Sequence, residues 1–192
     1  PFVAWLTDDM AMNLGDPVPQ DKLIHPRIEP EIVFVMKDRL EGPGVTRESA
    51  MAAVGTIAGG AEVIDSRYRT FRFRAGDVIA DNASSGAYVV IDKTVTPDEI
   101  DLLAEKVDVY VDGKRQYSGT GEDVQGHPGE ALALAANDLA RRGKAIEAGW
   151  VVLTGGITDA VFAPPGSTVE VKFSSLGEAT IKGGEDPRKG NG

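Results

Sequence analysis

The sequence predicts a β-rich α+β domain, a mixed sheet rolled into a barrel-like form with two or three helices. Three observations point there. Short runs rich in Val, Ile and aromatics recur along the chain, each bounded by Gly, Pro or Asp. Helical periodicity is confined to a few segments. An Asp112-Gly113 turn between Val109-Tyr110-Val111 and Arg115 to Gly119 marks a hairpin.

The strands follow in order. Ile28 to Met36 reads as the first, then Ala61 to Ile64, Ala87 to Asp92 and Val107 to Val111. Trp150 to Thr154 and Thr168 to Phe173 continue the series, and Ala179 to Lys182 is a weaker last member. Thr46 suits the cap of a helix running to about Ala58, with Met51, Val54, Ile57 and Ala58 on one face. Pro128 opens a second helix with the stripe Leu132, Ala135, Ala136, Leu139, and Gly143 stops it. Pro97 to Ala104 reads as a third, shorter helix. Residues 1–182 are expected to form a single catalytic domain, and the polar, glycine-rich 183–192 a disordered tail.

Composition narrows the chemistry. The 192 residues carry 30 acidic against 20 basic side chains, so the net charge of -10 disfavours a polyanionic partner such as nucleic acid. The cation–aromatic run Arg67 to Arg74 is short and reads as a solvated strand or an interface segment. With no cysteine and two histidines, any bound metal must rely on oxygen ligands, which points to Mg²⁺, Mn²⁺ or Ca²⁺. No apolar run approaches a membrane span, and a cytoplasmic protein is expected.

The segment Ile28-Glu29-Pro30-Glu31-Ile32 is the most informative. Side chains alternate along a strand, so Glu29 and Glu31 share a face while Pro30 and Ile32 take the other. Two such carboxylates repel unless solvent or a cation offsets them; a solvated edge strand, which Pro30 favours, is the plainer account. Glu62 adds a third carboxylate inside another apolar segment, where a lone charge is costly. Three carboxylates from two strands make a facial set of oxygen ligands with positions left open.

Several motifs occur together and in register: His25-Pro26-Arg27-Ile28-Glu29-Pro30-Glu31-Ile32, Glu62-Val63-Ile64-Asp65-Ser66-Arg67-Tyr68 and Asp81-Asn82-Ala83-Ser84-Ser85. Gly126-His127-Pro128 and Leu153-Thr154-Gly155-Gly156-Ile157-Thr158 follow. From Leu6 to about Lys182 the chain resembles the 2-oxopent-4-enoate hydratase and 4-oxalocrotonate decarboxylase branch of the fumarylacetoacetate hydrolase superfamily. The resemblance implies a fumarylacetoacetase-type domain with Mg²⁺ (or Mn²⁺) on Glu29, Glu31 and Glu62. The substrate it implies is a small unsaturated 2-oxo acid, chelated through its 1-carboxylate and 2-oxo group.

It also places Thr7-Asp8-Asp9-Met10 near the active site, with Asp8 or Asp9 as proton carrier, although the run reads equally as a polar loop. Asp81, Ser84, Ser85 and Thr158 are candidate substrate contacts on the same grounds; locally they read as turn or cap residues. His127 and His25 are expected to order a helix entry and a loop rather than act as bases.

The second and fifth motifs look more like the decarboxylases, which implies loss of CO₂ from 2-oxo-3-hexenedioate to give 2-hydroxypenta-2,4-dienoate, in aromatic meta-cleavage catabolism. Hydration of 2-hydroxypenta-2,4-dienoate is the alternative, and hydrolysis of an acylpyruvate comes third. The family carries an N-terminal lysine segment before the point where this chain begins, so a catalytically silent structural subunit is also considered. Homo-oligomers, or association with the partner hydratase or decarboxylase, are expected.

Overall fold

The computed structural model describes residues 2–185. Its strands, in chain order, are β1 (Arg27–Met36), β2 (Val54–Ile64), β3 (Ser85–Val95), β4 (Lys106–Val111) and β5 (Lys114–Thr120), then β6 (Val151–Gly156), β7 (Val161–Phe162), β8 (Thr168–Phe173) and β9 (Glu178–Lys182). Three α-helices accompany them: α1 (Arg47–Ala52), α2 (Ala75–Ala80) and α3 (Pro128–Ala140).

Period-two patterning sets the layers. In β1 the core-facing Ile28, Ile32 and Phe34 are wholly buried, and each contributes about 1.5–3 kcal/mol by leaving water. β1 pairs with β2 along one edge and with β6 and β7 along the other; β3 lies beyond β2, completing a five-stranded sheet. The second sheet has four strands in the order β5-β4-β8-β9. Its Val107, Val109, Val169 and Val171 are buried in the same apolar cluster as the β1 residues. Helix α3 seats Leu132, Ala136 and Leu139 in that cluster, and α1 packs against it.

The α+β class with mostly strands stands, but several details differ from expectation. Every ladder between the named strands is antiparallel, so the sheet is not mixed. Among the described residues the strands hydrogen-bond as two separate sheets rather than one closed barrel. The helix expected from Thr46 to Ala58 ends at Ala52, and Val54 onward is strand β2. Val54, Ile57 and Ala58 fit either period, but β-branched residues and Gly55, Gly59 and Gly60 disfavour a helix, and pairing with β1 decides.

Pro97 to Ala104 forms turns rather than a third helix, because the Asp101 carboxylate accepts from the Leu103 and Ala104 amides. Arg67 to Arg74 is loop rather than strand, and leads into the unanticipated α2. Of the expected tail, 186–192 lie outside the described residues, while the Gly183 amide donates to Ser167 and the Gly166 amide to the Gly184 carbonyl.

Candidate metal centre

β1 and β2 place Glu29 and Glu62 directly opposite one another in the ladder, and Glu31 opposite Gly60. Directly opposed residues bring their Cβ atoms within about 4.5–5.5 Å, an arrangement that like charges disfavour. Glu29, Glu31 and Glu62 each offer a carboxylate oxygen, and the three oxygens lie within 4.8 Å of one another. Glu31 is 1% exposed, whereas Glu29 and Glu62 are half-buried.

Burial pushes all three acids toward neutrality, and repulsion from neighbouring acids adds to it at Glu29 and Glu31. Glu29 is raised to about 7, first by desolvation, then by the charges of Glu62 and Asp159; Arg27 opposes the shift. Glu31 is raised well above the usual carboxylate range by its burial and by Glu62, and the Gly155 amide works against this. Glu62 is raised by burial, which hydrogen bonds with Ser85 and Glu31 partly offset. No lysine or arginine pairs with any of the three among the described residues.

The backbone around the acids is shaped to hold them. Between Glu31↔Gly156 and Val33↔Leu153 the ladder slips by one residue on β6. Gly155 takes up the slip at φ +104°, a conformation that strongly favours glycine. Its amide thereby donates to Glu31 Oε2 at 2.6 Å. The next residue must also be small: a Cβ on Gly156 would sit 2.9 Å from Glu29 Oε2. A buried cluster of three carboxylates, lacking cationic partners and cradled by glycine backbone, fits a divalent cation with oxygen ligands.

The other anticipated residues divide. Ser85, buried at the start of β3, hydrogen-bonds Glu62 and so belongs to the cluster. Asp81 is spent elsewhere. Its carboxylate accepts from Arg67 Nε at 2.7 Å, the Arg67 amide, and the Ser66 and Ser84 hydroxyls. Arg67 also donates to the Asp65 and Ser85 carbonyls. Asp81 and Ser84 thus brace the loop that carries Ser85 rather than offering free polar groups.

Thr158 is half-buried in the loop between β6 and β7, its hydroxyl donating to the Asp159 carbonyl. Asp8 and Asp9 form an exposed 3-10 turn against β3. Just beyond it Ala11 bridges Tyr88, the residue directly opposite Glu62. The two histidines do local work: the His127 imidazole caps α3 by accepting from the Gly129 amide, and the His25 amide donates to Asp65.

Three participants escaped the sequence reading. The Gly155 amide carries no side-chain signal. Asp159 lies just past the anticipated Thr158. Arg27 was legible, being two residues before Glu29 and therefore on its face.

Comparison with known proteins identifies the chain's family and relatives. The family described as fumarylacetoacetate (FAA) hydrolase C-terminal matches residues 2–182. A 4-oxalocrotonate decarboxylase of Pseudomonas putida is 40% identical over 182 residues, covering 95% of this chain and 69% of that protein. A 2-hydroxyhexa-2,4-dienoate hydratase of Comamonas testosteroni is 38% identical, covering 95% and 70%. Among solved structures, 4-oxalocrotonate decarboxylase from Pseudomonas putida G7, complexed with magnesium and adipate, superposes with TM-score 0.90 at 39% identity, covering 93% of this chain and 68% of that one.

Proposed function

The chain belongs to the fumarylacetoacetate (FAA) hydrolase C-terminal family, and from that premise we propose that it decarboxylates 4-oxalocrotonate as a metal-dependent lyase. The observation that carries this reading is the cluster itself: three carboxylates within 4.8 Å, one wholly buried, with no internal cation to balance them. Magnesium is the cation in the solved relative, and the oxygen-only ligand set suits it, with Mn²⁺ as second choice.

4-Oxalocrotonate is a vinylogous β-oxo acid. Breaking its distal C–C bond releases CO₂ and moves the electron pair through the alkene toward the 2-oxo group. A divalent cation supplies Lewis-acid stabilisation of charge developing on that oxygen.

The chain's own residues prepare the site. Glu29, Glu31 and Glu62 bind, the Gly155 amide orients Glu31, and the Ser85 hydroxyl orients Glu62. Glu31 is wholly enclosed, so its carboxylate acts in a medium where electrostatic interactions are strong. Asp8, Asp9 and Thr158 are the candidates to deliver the proton and contact the substrate.

Hydration of 2-hydroxypenta-2,4-dienoate is the second reading, favoured by the 38% identity to a dienoate hydratase. It needs the same charge stabilisation at the 2-oxo end. Homo-oligomeric assembly and cytoplasmic residence belong to the same proposal. Trp150 just before β6, Val151 on β6 and Phe162 on β7 are exposed apolar groups suited to a second copy, and no described helix is long and apolar enough to cross a membrane.

The test is CO₂ release from 2-oxo-3-hexenedioate with and without Mg²⁺, with Glu31→Gln as control. Metal-dependent release that the variant abolishes supports the decarboxylase. Consumption of 2-hydroxypenta-2,4-dienoate alone makes it the hydratase, and inertness toward both acids returns the silent-subunit reading.

A further inference from the structure

One cation stands on the face of the carboxylate cluster without a carboxylate of its own. Arg27 precedes Glu29 and Glu31 at the same two-residue spacing, so its side chain leaves β1 on their face. Its charge is felt at Glu29, where it opposes the upward shift. Yet among the described residues no carboxylate pairs with Arg27, and its guanidinium donates no hydrogen bond. Instead the guanidinium stacks on Phe71, its Cζ 4.2 Å from the ring centroid. Stacking fixes the plane of the group while leaving its edge N–H donors available.

The same aromatic ring holds His25 at 4.8 Å, and His25 Nε2 is buried with no hydrogen-bond partner. Buried polar atoms are normally satisfied, so a polar group is missing from this corner. An unpaired guanidinium edge beside an unpartnered imidazole nitrogen is suited to an anion.

The spacing along β1 is compatible with a short diacid. Two residues of strand advance about 6.8 Å, and the carboxyl carbons of an extended six-carbon diacid are roughly 6 Å apart. We propose that Arg27, held flat by Phe71, binds the distal carboxylate of a six-carbon dicarboxylic substrate whose 2-oxo acid end lies at Glu29, Glu31 and Glu62. This rests on the metal-centred reading of the cluster. Arg27 is then the residue that makes the site prefer a diacid over a monoacid of equal length. A guanidinium that only offset the charge of Glu29 would give no such preference.

The discriminating probes are 2-oxoadipate and 2-oxohexanoate, which share the 2-oxo acid head and differ only at the far end. Their Kd values are measured by titration calorimetry with Mg²⁺ present and then absent. Wild type should bind the diacid ~30-fold tighter, the scale of one charge-assisted bidentate contact. Arg27→Gln should bring the ratio near one. Arg27→Lys, which keeps the charge but not the planar stack, should retain part of it. Phe71→Leu should lower it less than Arg27→Gln does.

Equal affinities in wild type, or a ratio unchanged in Arg27→Gln, overturn the assignment and leave the metal centre standing. A ratio that collapses in Arg27→Gln but ignores Mg²⁺ supports Arg27 and sinks the metal-centred reading. Failure of both acids to bind overturns both readings.

Discussion

Glu105 and Glu31 are nearly equally enclosed, at 2% and 1% exposure, yet their oxygens meet opposite surroundings. Glu105 accepts from the Ser175 and Leu176 amides at 2.8 and 3.2 Å and also from the Ser175 hydroxyl. Asp65, also 2% exposed, is treated the same way, accepting from the Ile24 and His25 amides. Glu31 has one backbone donor and faces two further acids. Burying a carboxylate costs several kcal/mol unless donors replace its water. At Glu105 the fold supplies those donors and obtains a rigid junction between the start of β4 and the turn after β8. At Glu31 it withholds them, and that deficit is what the proposed cation would make up.

That contrast is sharpest if the two acids fail in different assays. Glu31→Gln should lower kcat/KM by about 10³-fold, several kcal/mol of transition-state stabilisation, while leaving the metal-free protein at least as stable as wild type. Loss of stability with activity retained would erase the distinction. Glu105→Ala is the mirror case. It leaves two amides without an acceptor and should cost about 3 kcal/mol in urea unfolding, with little change in kcat below the melting range.

The pH dependence of stability separates the regions next. Glu29 is raised in the folded protein to about 7 from an ordinary value of 4.5. A raised acid binds its proton more tightly when folded, so its stabilisation is complete below the ordinary value and is lost as pH rises toward 7. Without divalent cation, Glu29 should therefore cost the protein up to about 3 kcal/mol between pH 4.5 and pH 7.5. Mg²⁺ should restore stability most at the alkaline end, read as a larger Tm gain at pH 8 than at pH 5. A flat profile in metal-free protein would mean the three acids are already compensated.

Gly156→Ala is the mildest probe. Its Cβ would meet Glu29 Oε2 at 2.9 Å and should weaken Mg²⁺ binding ~10-fold through displacement of one ligand. Unchanged affinity would show that Glu29 can move without loss.

Much of the site was legible because strand periodicity is a local rule. Glu29 and Glu31 had to share a face once the segment was a strand, and family motifs brought Glu62 to them. Asp81 shows the limit. Its motif suggested substrate contact, but its oxygens are taken by Arg67, Ser66 and Ser84, and that competition depends on where a loop folds back. Val54 to Ala58 shows another. Its spacing satisfies helix and strand alike, and only the partner strand resolves the tie.

By itself the sequence determined the strand-dominated class, the hairpin at Asp112-Gly113, the helix entered at His127-Pro128 and the shared face of Glu29 and Glu31, all of which depend on neighbours within a few residues. Tertiary structure alone decided that the strands form two antiparallel sheets, that a slip in β6 aims the Gly155 amide at Glu31, and that Arg27 is stacked on Phe71 rather than paired with an acid. Those outcomes depend on ladder register and on contacts across more than forty positions of chain. No local preference encodes them, because they form only when distant segments compete for the same space and the same hydrogen bonds.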